Sequence, residues 1–256
     1  MLNAVCEIMK QAGALILNAH LSPVHEKEGH FNFVTDTDVA VQEYLKNAFS
    51  SLCPGVLFFS EEQENQALTD APTFVIDPID GTINFMRDRR QSAISVAYLV
   101  NKQPILAAVW QPYTGEMFTA EKGKGAFLNG APIHVSDTLF EKALVSFGTS
   151  PYDAELAKRT MKCAEAFLLQ AGDLRRTGSA CVDLCDVACG RSDLFFELRL
   201  RPWDVAAGCL IVQEAGGIYR SFGHDLPYFE EACGMICGNP VCIEKALRIL
   251  SDNQVI

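Results

Sequence analysis

Two aspartates three residues apart, Asp77 and Asp80, lie inside the stretch TFVIDPIDGTINF from Thr73 to Phe85. Carboxylates this near one another repel unless something positive lies between them. The Gly81-Thr82 pair that follows opens a helix pattern, whose first N–H groups and positive dipole end suit an oxyanion such as phosphate. Acids beside an anion site are in conflict, and a hard divalent cation such as Mg²⁺, taking oxygen ligands from carboxylate and phosphate together, resolves it. The same Asp-Pro and Asp-Gly dipeptides also form Asx turns and helix caps in ordinary loops. Two further acids shift the balance toward a site: Glu61 in SEE (60–62), directly after the run VLFF, and Asp204 in RPWD (201–204), ahead of a small-residue helix pattern. Each stands at the end of a regular element, which is stiff enough to hold a metal.

The elements that must position these acids are legible from periodicity. Thr73–Ile76 is β-branched and aromatic, and Pro78 forces Asp77 out of helical geometry, so a buried strand is predicted to end at Asp77. Helical spacing marks residues 1–20 and 36–49, and the polar segment HLSPVHEKEGHFNF between them reads as a loop or hairpin. VLFFS, SAISVAYLV and PILAAVWQP are strands, followed by the glycine turns and short strands of a meander through VS at 135–136. A second half begins near Phe140, with helix patterns over 153–171, 180–188, 204–214 and 240–250 and the strand DLFFEL. No repeat, linker or low-complexity tract divides the chain. We expect one α+β layered domain over 1–256, with lobes of roughly 1–139 and 140–256 and the site in the cleft between them.

Composition excludes several classes. Of 256 residues, 49% are apolar and 21% charged, the balance of a folded globule. Thirty-two acids against 21 bases give a formal charge of −11, so the surface would repel nucleic acid and anionic membrane. The first twenty residues lack a basic leader, are too short and interrupted to span a bilayer, and read as an amphipathic first helix. Ten cysteines without a signal peptide argue for reduced thiols in a cytoplasm rather than a disulfide framework. There is no CxxC pair, and Cys181, Cys185 and Cys189 recur every four residues along one helical face, as small buried hydrophobes do.

FNFVTDTD (31–38), SEE (60–62), DPIDGTINF (77–85) and PWDVAAG (202–208) together resemble the four signature regions of the inositol monophosphatase family of Mg²⁺-dependent, lithium-sensitive phosphatases. The resemblance runs over nearly the whole chain. It implies the layered αβαβα sandwich shared with fructose-1,6-bisphosphatase, a homodimer, and hydrolysis of a small phosphate monoester by a metal-activated water in one in-line step, without a covalent intermediate. Carried onto matching positions, it implies that Glu61, Asp77, Asp80, Asp204 and the Ile79 carbonyl ligate two Mg²⁺ ions, with a third, looser ion in some members. Glu61, or Thr82 with Asp38, would accept the proton of the attacking water. The amides at Gly81 and Thr82 would hold phosphate.

Within the resemblance, Gly178, Ser179, Ala180 and Glu197 would meet the hydroxyls of the substrate, with Asp80 and Asp204 beside them, and an acid at 197 suits a vicinal diol. This favours myo-inositol 1-phosphate. Two departures point elsewhere: MRDRRQS follows Asn84-Phe85 where a His-Gly or Gly-x-Pro turn is frequent, and Arg199 stands where glycine is frequent. Arg87, Arg89, Arg90 and Arg199 are either solvated, with Asp88 as a partner, or seat a second phosphate, in which case a sugar bisphosphate such as fructose 1,6-bisphosphate is the substrate. Asn32 occupies a position where an aspartate is common near the third metal, and Lys27 matches a lysine frequent there. Two rivals remain on the same letters. A haloacid-dehalogenase-type phosphatase would use the first aspartate as nucleophile, but its two acids are separated by one residue rather than two. A non-catalytic divalent-metal-binding regulator would keep the acids without turnover.

Overall fold

The computed structural model describes residues 1–19, 23–26, 33–222 and 231–252. Lys27, Gly29 and Asn32 lie outside the described residues. Five layers alternate helix and sheet. The outer helices α1 (Leu2–Asn18) and α2 (Asp36–Leu52) cover one face of a seven-stranded sheet. That sheet contains β3 (Leu57–Ser60), β4 (Thr73–Asp80), β5 (Ala93–Val100), β6 (Gln103–Gln111), β7 (Glu116–Glu121), β8 (Ala126–Leu128) and β9 (Ala131–Ile133), in that order. Its β3–β4 pair is parallel and every other pair antiparallel.

The central layer is α5 (Ala180–Ala188) and α6 (Pro202–Glu214), whose small residues Ala206, Ala207 and Gly208 pack between the two sheets. A Cβ on Gly208 would fall 2.5 Å from the Leu184 side chain, so glycine sets how closely the two helices approach. The second sheet has the order β11 (Asp173–Arg175), β10 (Leu144–Phe147), β12 (Leu194–Leu200), β14 (Cys233–Gly238) and β13 (Ile218–Phe222). Helices α4 (Ala154–Leu168) and α7 (Pro240–Asp252) close its outer face. A short hairpin, β1 (Val24–Glu26) with β2 (Phe33–Thr35), lies in the polar segment after α1. The αβαβα layering expected from the resemblance is therefore present. Cys181 and Cys185 are buried and Cys189 half-buried along α5, and the cysteines are free thiols.

Two expectations change. Helix α6 begins at Pro202 rather than Asp204, because proline is favoured in the first turn, where its missing N–H has no partner to lose. Strand β4 does not end at Asp77. Its pairing with β5 continues, but Asp77 opposes Ser95 and Asp80 opposes Ala93, so three steps on β4 face two on β5. This is a bulge at Pro78-Ile79, where proline has no N–H to give the ladder.

The bulge reverses the alternation of faces. Phe74 and Ile76 pack toward α1 and α2, and Val75 packs toward α5 and α6. Without the extra residue Asp80 would share the face of Phe74 and Ile76. With it, Ile79 joins Phe74 and Ile76 in the outer core, and Asp80 falls on the same face as Asp77. The two-residue gap between the acids is thus what a bulged strand needs to bring both to one side.

Candidate active site

The buried ends of three helices meet at this bulge. Asp38 is the third residue of α2, with Thr35 as the helix cap. One carboxylate oxygen of Asp38 accepts the Thr35 N–H at 2.8 Å and the Thr35 hydroxyl, and the Thr35 side chain accepts the Asp38 N–H in return. The other oxygen accepts the hydroxyl of Thr82 at 3.3 Å, and Thr82 Oγ1 also lies 3.2 Å from the Ile79 carbonyl. Asp80 accepts the Ser179 hydroxyl and the Cys181 N–H, both at 2.6 Å, at the start of α5. Asp204, in the first turn of α6, accepts the Arg201 N–H at 2.6 Å. Each acid sits where unpaired backbone N–H groups and the helix dipole favour its ionised form.

Asp77, Asp80 and Asp204 each offer an oxygen within 4.8 Å of the others. Asp77 and Asp80 are buried, and Asp204 is half-buried. Burial, then Glu61 and Asp80, push the Asp77 carboxyl well above its ordinary range. Burial, then Asp80 and Glu61, do the same to Asp204. Asp80 is also raised by burial, opposed by its bonds to Ser179 and Cys181. Clustered buried carboxylates that can shed their protons only against mutual repulsion form a binding site for a cation. An all-oxygen set suits Mg²⁺, Mn²⁺ or Ca²⁺ rather than a soft metal. The residues present therefore fit the divalent ions that the sequence implies.

Of the four acids expected as ligands, the structure brings three together. Glu61, just beyond β3, stands outside the group that meets within 4.8 Å, yet it is the leading like charge on Asp77 and acts on Asp204. Its place is the edge of the cluster. The Ile79 carbonyl lies at the same corner through Thr82. Helix α3 (Thr82–Met86) is only five residues long, so the corner at Gly81 and Thr82 offers free amides rather than a long helix dipole. Gly81 has φ 87°, and a Cβ there would come 3.0 Å from the Gln91 carbonyl and 3.2 Å from the Ser179 Cβ, so this turn requires glycine. Asn84 ties the corner to the second half through bonds to the carbonyls of Gln91 at 2.7 Å and Thr177 at 3.0 Å.

A cavity of about 150 Å³ opens beside the cluster. Asp80, Asp204, Gly178, Ser179, Ala180 and Glu197 all line it. Glu197 is 9% exposed, and burial, followed by Asp204 and Asp80, raises its carboxyl well above the ordinary range. Six lining residues lie outside the set read from the sequence: Gly148, Thr149, Tyr152, Arg176, Asp183 and Leu200. Gly148 leaves the space that Glu197 fills, since a Cβ there would lie 1.8 Å from Glu197 Oε2. Asp183 is pushed up to about 8, mainly by burial, and its Oδ2 accepts the Thr177 hydroxyl at 2.8 Å. Tyr152 and Arg176 complete the rim, with Arg176 Nε donating to Thr149 Oγ1 at 3.1 Å. Only Arg176 had a local signal, two residues ahead of Gly178. The pairing of Gly148 with Glu197 joins distant strands and leaves no trace in spacing.

The arginines divide. Arg199 lines the cavity and lies 3.4 Å from Asp153. Arg90 instead pairs with Asp88 at 3.3 Å, and Arg89 reaches the Gln91 side chain at 3.5 Å. Arg87, Arg89 and Arg90 are absent from the cavity lining, and all three belong to the turn after α3. A larger cavity of about 1000 Å³, lined by Ile16, Tyr113, Asp88 and Arg90 among others, carries none of the clustered acids.

Residues 1–254 match the sequence profile of the inositol monophosphatase family. The chain belongs to that family. Inositol monophosphatase 3 of Solanum lycopersicum is 38% identical over 224 residues, covering 84% of each chain. The Nus factor SuhB of Xylella fastidiosa is 34% identical over 250 residues, covering 93% of this chain and 89% of that one. Among solved structures, an IMPase of Thermotoga maritima superposes with a TM-score of 0.88 at 30% identity, covering 98% and 97%. The inositol monophosphatase fold is therefore the fold of this chain, and by family it is a phosphoric monoester hydrolase. No helix among the described residues is long and apolar enough to cross a membrane.

Proposed function

We propose that the chain hydrolyses the phosphate ester of a small polyol, myo-inositol 1-phosphate above others, with divalent cations held by Asp77, Asp80, Asp204 and the edge carboxylate Glu61. The reading assigns two Mg²⁺ ions, a third loosely held, and one unit of the whole chain acting as a homodimer in the cytoplasm, inhibited by lithium. The observation that carries it is the convergence of three carboxylates on one face of a bulged strand, beside a cavity floored by Glu197. Bound cations would supply charge neutralisation and acidify a water. This chain's own residues do the rest. Asp38 takes a proton through the Thr82 hydroxyl, which it holds at 3.3 Å. The amides at Gly81 and Thr82 receive the phosphate oxygens. Glu197 accepts hydroxyls of the polyol and so turns the ester toward the cluster.

Arg176 and Arg199 on the rim favour a second reading in which the substrate carries another acidic group, as fructose 1,6-bisphosphate does. Phosphate release measured on both esters, with and without Mg²⁺, separates the two. Turnover of inositol 1-phosphate is expected to exceed that of the bisphosphate and to vanish on chelation. A preference for the bisphosphate that Arg176→Ala abolishes would establish the second reading instead, and release unaffected by chelation would refute the metal-dependent reaction.

A further inference from the structure

Glu61 lies in a turn between β3 and β4, yet the residues on both sides of it are fixed by side-chain amides. On its N-terminal side, Asn65 pairs twice with the backbone of Ser60: the Ser60 N–H donates to Asn65 Oδ1 at 2.8 Å, and Asn65 Nδ2 donates to the Ser60 carbonyl at 2.7 Å. On its C-terminal side, Gln42 pairs twice with the backbone of Glu62: the Glu62 N–H donates to Gln42 Oε1 at 3.0 Å, and Gln42 Nε2 donates to the Glu62 carbonyl at 2.8 Å. The Ser60 hydroxyl also donates to Gln42 Oε1. Gln42 comes from α2 and is 4% exposed. A third amide, Gln63, donates to the Phe58 carbonyl at 2.9 Å and receives Lys46 Nζ at 2.7 Å.

An ordinary surface turn leaves its peptide groups to water. Here a buried glutamine engages both ends of its carboxamide with the backbone N–H and carbonyl of Glu62, and an asparagine does the same with those of Ser60. Because α2 also carries Asp38, the same helix fixes the Asp38 carboxylate and, through Gln42, the backbone next to Glu61. Side chains that orient a metal-binding carboxylate from behind commonly govern affinity by 10- to 100-fold, roughly, when removed.

We propose that Gln42 and Asn65 are positioning residues that clamp the turn 60–62 and hold Glu61 at the edge of the Asp77, Asp80 and Asp204 cluster, so that the site takes up a divalent cation without first ordering this turn. The proposal rests on the reading of Glu61 as a cation ligand. The test measures Mg²⁺ binding to the metal-free protein by calorimetry for wild type, Gln42→Met, Asn65→Ala and Glu61→Gln, together with melting temperature and the substrate KM at saturating Mg²⁺. Gln42→Met and Asn65→Ala are each expected to weaken Mg²⁺ binding by about tenfold, with substrate KM changed less than about twofold. Two folded variants with the wild-type isotherm, alongside a weakened Glu61→Gln, would overturn the clamp alone. Glu61→Gln binding Mg²⁺ like wild type would overturn the ligand reading and the clamp with it. Loss of Mg²⁺ affinity accompanied by an equal rise in substrate KM would mark a merely structural role and also overturn the proposal. If Gln42→Met does not fold, Asn65→Ala decides the question by the same readout.

Discussion

Asp77→Asn is expected to lower Mg²⁺-dependent kcat/KM by about 1000-fold while making the metal-free protein more stable near pH 8. Both effects follow from one carboxylate. Asparagine keeps an oxygen to accept the Ile79 N–H, which Asp77 Oδ1 accepts at 3.0 Å, so the bulge survives. It removes a charge that burial, Glu61 and Asp80 all oppose. Because the folded-state pKa of Asp77 is raised above its unfolded value, the folded protein binds the extra proton. The stability this proton confers is fully present at pH below the unfolded carboxyl pKa, and it is lost as pH rises through the folded pKa. The melting temperature of metal-free wild type should therefore fall from pH 4 toward pH 8. Asp77→Asn should fall less, and the two should converge at pH 4. A residual slope should persist in the variant, because Asp183, at about 8, titrates with the same sign. Mg²⁺ should raise the melting temperature of wild type and leave that of Asp77→Asn little changed. Thermal melts across pH with and without Mg²⁺, beside steady-state kinetics, check the whole pattern. An active Asp77→Asn enzyme would end the ligand assignment.

Gly148→Ala should damage substrate choice rather than folding. The added Cβ would lie 1.8 Å from Glu197 Oε2 and 2.3 Å from its carboxyl carbon, so the Glu197 side chain must swing within the cavity. What gives way is the end of a side chain and not the backbone, so the melting temperature should move by only a few degrees, on the order of 1 kcal/mol. Glu197 would no longer stand where the polyol hydroxyls are met. For inositol 1-phosphate, kcat/KM is expected to fall about 100-fold, whereas for 4-nitrophenyl phosphate, which has no hydroxyls to read, it should change less than about threefold. A uniform loss on both esters would instead place the damage at the acid cluster.

Much of this site was legible because its chemistry is local in the chain. Asp-Pro-Ile-Asp carries two acids and the proline that bulges the strand between them, and Trp-Asp carries an acid in the first turn of a helix. Periodicity revealed α1 and α2 because each buries a stripe of apolar residues, whereas α6, between the two sheets, is buried all round from Val205 to Val212. The strand's continuation past Asp77 was not legible, since proline alone predicts an end and only the partner strand, with two residues set against three, reveals a bulge. The role of Gly148 depends on a side chain forty-nine positions away, and a lone glycine ahead of a polar turn gives no hint of it. The arginines were left between two readings for the same reason. Arg89 and Arg90 are near the motif in sequence but belong to the turn after α3, whereas Arg199 lines the cavity and Arg176 reaches its rim because β11 brings it there beside β10.

Asp77, Asp80 and Asp204 are expected to share one cation site. Anomalous diffraction from crystals equilibrated with Mn²⁺ tests this most directly. Peaks bridging the carboxylates of Asp77, Asp80 and Asp204, with oxygen ligands at about 2.1–2.3 Å, are the expected result. Density for manganese elsewhere, with these three side chains free of metal in protein that still releases phosphate, would contradict it.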